Sequence, residues 1–269
     1  MESALNVPGS APLFEGQLVL AVFAHPDDES LACGGTLARL VDCGAHVVIM
    51  CATHGELSAE RTGRDAALAR TRAFELSEAA AALGAHEVII LNHRDGHVRW
   101  GEVTDFSAEL VLFMRTRRPA AVLTFDEDGL YWHPDHIGVH ERVLTAARSL
   151  GVAAPPVYVV TMERGVMTDI VELAKLEGWT APSQGFWSLH PDAFGKFAVP
   201  YTMAVDVGDW VPRKLEALAA HRTQMGNAHP FSRLRAYDAR RLLGREFFRR
   251  LEIPSNSPAV LERICTPAC

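Results

Sequence analysis

Two runs in this 269-residue chain gather side chains that could do chemistry: Ala24-His25-Pro26-Asp27-Asp28-Glu29 and Tyr131-Trp132-His133-Pro134-Asp135-His136. His25 offers a neutral imidazole and Asp28 a carboxylate, a donor set that suits zinc. The adjacent carboxylates of Asp27 and Asp28 repel, and a nearby cation relieves that cost. A helix N-terminus also welcomes acidic residues, which is the preferred reading for Glu29. It does not account for a His-Pro-Asp-Asp run. With His136 added, three protein ligands leave a fourth position for water, the arrangement of a catalytic zinc. His133 and Asp27 are then the acid and base beside the metal. His136 and His140 form a competing pair at i, i+4. No Glu follows His136 as in H-E-x-x-H, and His140 lies a turn deeper, so the pair is not favoured. The other eight histidines (46, 54, 86, 93, 97, 190, 221 and 229) have no comparable partner by spacing.

The elements that must position these runs are legible in the apolar pattern. Short β-rich runs at 18–24, 47–53, 87–91, 120–125 and 157–161 read as buried strands. Helical stretches at 30–44, 64–83, 104–118 and 134–150 alternate with them. Ser30 is a plausible N-cap, Gly44 and Gly84 are stops, and Pro134 suits a first turn. Strands alternating with helices give βαβ units, hence an α/β fold with a Rossmann-like open, mostly parallel sheet and helices on both faces. Ligands in such sheets bind beyond the carboxyl ends of the strands. Both runs follow strands directly, so they converge on one edge although more than 100 residues apart.

After residue 162 the regularity weakens. We expect one domain over 1–269, with a catalytic core at about 16–162, a variable insertion at about 163–200, and a C-terminal strand and helices at about 201–269. A further strand is expected at 201–207 and a helix at 211–224. Residues 232–250 hold seven arginines, best read as a solvated helical face, with contact to an anionic group or another subunit as the alternative.

Hydrophobic residues make up 48% and charged residues 22%, which are globular proportions and exclude disordered or collagen-like classes. The formal net charge of −7 argues against nucleic acid as a partner. No apolar stretch is long enough for a membrane span. The first basic residue is Arg39, so no secretory leader is expected. Five cysteines without a C-x-x-C pair read as reduced thiols of a cytoplasmic protein. Neither G-x-G-x-x-G nor a P-loop pattern occurs, which weakens a nucleotide-binding reading.

AHPDDE at 24–29 together with HPDH at 133–136 resembles the LmbE/PIG-L family of zinc-dependent N-deacetylases. The resemblance spans roughly 16–162, with an echo in His221-Arg222-Thr223-Gln224. It implies a zinc ion held by His25, Asp28 and His136, with Asp27 as general base. Iron(II) fits the same ligands. His133 matches a protonated histidine that stabilises the oxyanion or helps the amine leave, and Asp135 the carboxylate that orients it. Tyr131 matches a tyrosine that hydrogen-bonds the carbonyl oxygen. Arg72, Asp95 and, more weakly, Glu56 match sugar-contacting residues. The implied reaction removes acetyl from an N-acetylglucosamine-type substrate. One departure is Trp132, where relatives acting on small thiol-precursor sugars often carry a small residue. It keeps open an amidase acting on a thiol conjugate or an acylated antibiotic sugar. A non-catalytic metal-containing module is the alternative of another class. The partner expected is a small N-acetylated sugar or conjugate, and a homo-oligomer is compatible with the sequence. Trp179, Phe186 and Trp187 read as a satellite apolar core before a sugar platform.

Overall fold

Five runs of β-branched and other apolar residues form parallel strands: β1 (Leu18–Phe23), β2 (His46–Cys51), β3 (Glu87–Ile90), β4 (Ala121–Phe125) and β5 (Val157–Thr161). They belong to a computed structural model that describes residues 13–57, 65–101, 103–179, 189–195, 199–226, 230–256, 258 and 260–265. The connecting helices are α1 (Asp28–Asp42), α2 (Ala66–Leu83), α3 (Val103–Arg117), the irregular turn α4 (Gly129–Trp132) and α5 (Pro134–Leu150). The order β3-β2-β1-β4-β5 puts β1 between β2 and β4. The chain leaves β1 towards one side of the sheet and later returns to the other, so the crossovers lie on opposite faces. Accordingly α1 and α2 pack together with a later helix, and α3 packs with α5. The central strands are sealed: Val19 to Phe23 and Ala121 to Leu123 are fully buried. That burial is why these strands read as continuous apolar runs rather than alternating ones.

The C-terminal third completes the same sheet. After α6 (Val166–Leu176) come β6 (Met203–Asp206), α7 (Val211–Ala220), the short α8 (Arg222–Met225), α9 (Ala236–Leu243) and β7 (Arg245–Arg250). β7 pairs antiparallel with β5, and β6 antiparallel with β7, giving seven strands. The arginine-rich 232–250 segment is therefore not one helical face. Gly244 ends α9, and Phe247 and Phe248 are buried as the chain turns into a strand. Arg249 from that strand meets the buried Asp126 at 2.5 Å, and Arg240 meets Asp209 at 2.7 Å. The expected insertion at 163–200 contains a helix, α6, whose Met167, Ile170 and Ala174 are buried. Trp179 packs against a second apolar cluster that includes Met167, Phe194, Val211 and Phe231, a satellite core. Phe186 and Trp187 lie outside the described residues.

One element departs from its local pattern in an instructive way. α1 begins at Asp28, not after Ser30, and is interrupted at Cys33, whose φ of −149° is non-helical. The break frees the amides of Gly35 and Thr36, which donate to the Glu246 carboxylate at 3.0 and 2.7 Å. Lys214 of α7 closes the arrangement on Glu246 at 2.6 Å. A Cβ at Gly35 would sit 2.7 Å from the Val207 side chain, so glycine is what lets the helix approach so closely. The helix that opens the functional edge is thus capped in its middle by β7.

Candidate active site

The loops after β1, β2, β3 and β4 meet beyond the carboxyl edge, at the point where the strand order reverses around β1. Backbone strain concentrates there. Asp27 has φ 123°, Leu130 67° and Trp132 66°, conformations that favour glycine and cost on the order of 1–3 kcal/mol each. The surrounding structure holds them. The Asp27 amide donates to Glu29 Oε2 at 3.1 Å, and Asp128 caps the turn after β4 by accepting from Leu130 N at 3.0 Å.

Asp28 stands between two imidazoles. Its Oδ1 is 3.1 Å from His136 Nε2, and its Oδ2 is 3.4 Å from His25 Nδ1. All three side chains are nearly inaccessible. His136 Nδ1 lies 3.0 Å from the Gly129 carbonyl, so it donates there and leaves a lone pair on Nε2. That Nε2 is buried without a satisfactory hydrogen bond despite its nearness to Asp28. An imidazole lone pair and a carboxylate oxygen aimed at one another are what a divalent cation between them accommodates. Residues that could hold a metal also gather as His25 with His133 and His136, and as His25 with Asp95 and Asp135. The expected trio His25, Asp28 and His136 is therefore brought together, and the donor set fits a metal ion.

Around these groups the charges are sorted. Burial disfavours a charged His25, yet the carboxylates of Asp135, Asp28 and Asp95 outweigh it and hold the ring well above its usual pKa. Burial also opposes ionisation of Asp28, but His136 and His25 keep it well below the carboxylate range. Asp27 behaves oppositely: burial and the neighbouring Asp28 raise it to about 6, although Arg72 pulls it down. Two adjacent carboxyl groups are thus pushed in opposite directions by what surrounds each.

The remaining candidates are placed as follows. Asp135 was expected to orient His133 and keep it protonated; the structure turns its carboxylate elsewhere. Asp135 accepts from Gly96 N at 2.6 Å and Val98 N at 2.9 Å, and faces His25 Nε2 at 3.3 Å. It is the Asp135 amide that donates to His133 Nδ1, at 3.3 Å. Accepting that amide makes Nδ1 an acceptor, and burial and the rings of His136 and His25 push His133 down to about 3. Tyr131 stacks edge-on to His136 with centroids 5.1 Å apart, and burial and the Asp28 charge raise its phenol well above the usual value.

Arg72 and Asp95, expected to contact sugar, face inward. Arg72 donates to Gly55 O at 2.9 Å and Pro26 O at 2.7 Å and touches Asp27 at 3.4 Å. Asp95 accepts from Leu57 N at 2.7 Å and lies 3.1 Å from His25 Nε2, which with burial against it still leaves its pKa at about 2. Glu56 lines a cleft of about 220 Å³ with His54, Asp65 and Asn92. A larger hollow of about 890 Å³ lies at the opposite edge, near Gln17, Pro119 and Pro155, and contains none of these groups. His140 Nδ1 donates to the Phe125 carbonyl, 2.9 Å away, and serves α5 packing. Spacing missed His221, which enters from the end of α7 to pair with Glu29 at 2.9 Å. Burial works against its charge, but Glu29 outweighs that and raises it. Only its place in the 221–224 echo pointed to it.

Comparison with known proteins settles the relationship. Residues 20–147 match the GlcNAc-PI de-N-acetylase (PIG-L) family. A 1D-myo-inositol 2-acetamido-2-deoxy-alpha-D-glucopyranoside deacetylase of Thermobispora bispora is 33% identical over 271 residues, covering 86% of each chain. The chain belongs to the PIG-L family. A second relative of the same description, from Nakamurella multipartita, is 37% identical and covers 77% of this chain and 79% of its own. Among solved structures, N,N'-diacetylchitobiose deacetylase from Pyrococcus horikoshii has a TM-score of 0.61 at 23% identity, covering 89% of this chain and 85% of that one. GalB, a 4-carboxy-2-hydroxymuconate hydratase from Pseudomonas putida, has a TM-score of 0.60 at 20% identity, covering 87% and 96%. At such identities the likeness is one of fold. A PIG-L-like fold therefore does not dictate the reaction, which must be argued from the residues.

Proposed function

We propose that the chain is a zinc-dependent N-deacetylase, releasing acetate and a free amine from an N-acetylglucosamine-type substrate. The observation that carries this is the geometry at Asp28: its carboxylate lies 3.1 Å from His136 Nε2, which is buried without a hydrogen bond, and 3.4 Å from His25 Nδ1, with the Asp27 carboxyl next in the chain. The deacetylase descriptions of the curated relatives support the same chemistry. Zinc supplies an acidified water, with a pKa of about 7, and polarises an amide carbonyl.

The chain's residues do the rest. Asp27, poised near 6, takes the proton of the attacking water. His133 Nδ1 is occupied by the Asp135 amide, so the neutral ring carries its proton on Nε2 and donates a hydrogen bond to the developing oxyanion. Tyr131 keeps its phenolic proton and is a second donor. A neutral His133 is a poor acid, so Asp27, protonated in the first step, returns that proton to the leaving nitrogen. Asp95 and Asp135 hold His25 from outside the ligand set, and Arg72 braces the loop after β1 against Asp27. Glu56 is the candidate contact to the sugar, from the wall of its cleft.

The test is free-amine release from a panel of N-acetylglucosamine derivatives, the inositol glycoside among them, with zinc-loaded protein and a chelated control. We expect metal-dependent release, with the rank order of aglycones naming the substrate. No release from any of them by protein with zinc demonstrably bound would overturn the reading.

A further inference from the structure

We infer that His221 is a positioning residue for the reaction, acting through Glu29 on the backbone of Asp27. The inference rests on Asp27 being the general base. Asp27 is held at φ 123°, where a side chain is strained. Its peptide is held there by its amide, which donates to Glu29 Oε2 at 3.1 Å. The other oxygen, Glu29 Oε1, receives Ser30 Oγ at 2.6 Å and His221 Nε2 at 2.9 Å. Glu29, Ser30 and His221 are each fully buried.

In so enclosed a site an unengaged carboxylate oxygen is costly, so each oxygen of Glu29 is held to the partner it has. His221 therefore sets which way Glu29 faces, and Glu29 sets the peptide that aims the Asp27 carboxylate. The imidazole is itself fixed from outside the site. Thr223, two residues on, gives its amide and hydroxyl to Glu75 of α2 at 3.0 and 2.6 Å. Three elements, α1, α2 and the α7–α8 junction, are locked together behind one catalytic carboxylate.

A double-mutant cycle between His221→Ala and Asp27→Asn separates this from a merely structural role. Displacements of about 1 Å at a reacting group cost up to about 100-fold. We expect His221→Ala to lower kcat by roughly 10- to 100-fold, measured as amine release from an N-acetylglucosamine derivative. KM and zinc stoichiometry should stay close to wild type, while loss of the buried His221–Glu29 pair lowers the melting temperature. His221→Gln, whose amide N–H still reaches Glu29, should recover most of the loss. In the Asp27→Asn background, His221→Ala should cost almost nothing further. Full multiplication of the two losses, an unchanged kcat in His221→Ala, or loss of bound zinc would each overturn the inference. If His221→Ala does not fold, the same cycle is run with His221→Asn, which is too short to hold Glu29. Unimpaired turnover in Asp27→Asn alone removes the base assignment instead, an outcome distinct from additivity.

Discussion

Asp27 and Asp28 are chemically identical side chains, and the separate roles proposed for them come from what each faces. Asp28 meets two imidazoles, whereas Asp27 is buried with a like charge next door and a partly committed guanidinium opposite. The same logic makes Asp135 a candidate for metal affinity rather than for His133. Its carboxylate receives two backbone amides and faces His25, the role of an outer partner that fixes a ligand ring. Asp135→Asn is accordingly expected to weaken zinc binding about 10- to 100-fold, read by competition with a chelator. An unchanged zinc affinity would return Asp135 to the His133 role. At this scale much was legible in the sequence. AHPDDE and HPDH declared the ligand types, and strand ends declared their convergence. What was not legible was direction: nothing in the string says that the Asp135 carboxylate turns to His25 while only its amide serves His133. Nor does spacing place His221, since its partner Glu29 is 192 residues away.

Between elements, the βαβ alternation was readable because period and turn residues are local properties, and Gly84 and Pro134 sit where they were expected. The interruption of α1 was not, because its cause is Glu246 on a strand at the far end of the chain. The arginine-rich stretch misled for a related reason: REFFRR becomes a strand by pairing with β5, not by its own preference. The buried Lys214–Glu246 pair is a sensitive joint. Lys214→Met leaves a carboxylate inside without its cation, so a loss of about 3–5 kcal/mol is expected in urea unfolding. Adding Glu246→Gln should restore part of it. If the single change is neutral, α1 is not held by this contact. A second joint, Tyr158 of β5, donates to Glu262 at 2.5 Å and accepts from the Val260 amide at 2.9 Å. Burial and Glu262 push its phenol up to about 12. The folded state therefore keeps this proton longer than the unfolded chain does. Stability from this group is intact below about pH 10 and is lost as the pH rises towards 12. Tyr158→Phe should remove that alkaline decline from the unfolding free energy, while lowering stability at neutral pH.

Over the whole molecule, the family-matched stretch 20–147 holds the candidate ligands and the candidate base, yet much that braces them comes from beyond it. Lys214, His221 and Glu246 all belong to the last third, and among the described residues no helix is long and apolar enough to cross a membrane. A chain ending at residue 165 would keep every candidate ligand. We expect it to lack cooperative unfolding and to bind zinc weakly, checked by calorimetry and chelator competition. Tight binding by that fragment would show the core to be self-sufficient. The cap that Glu246 places on Thr36 also has a meaning in time, since 210 residues separate the two. At ordinary synthesis rates the ribosome takes roughly 10–40 s to cover that distance. Throughout that interval the amides of Gly35 and Thr36 lack the Glu246 carboxylate that receives them in the folded chain. The middle of α1 can therefore gain its carboxylate cap only once β7 has been made and has paired with β5.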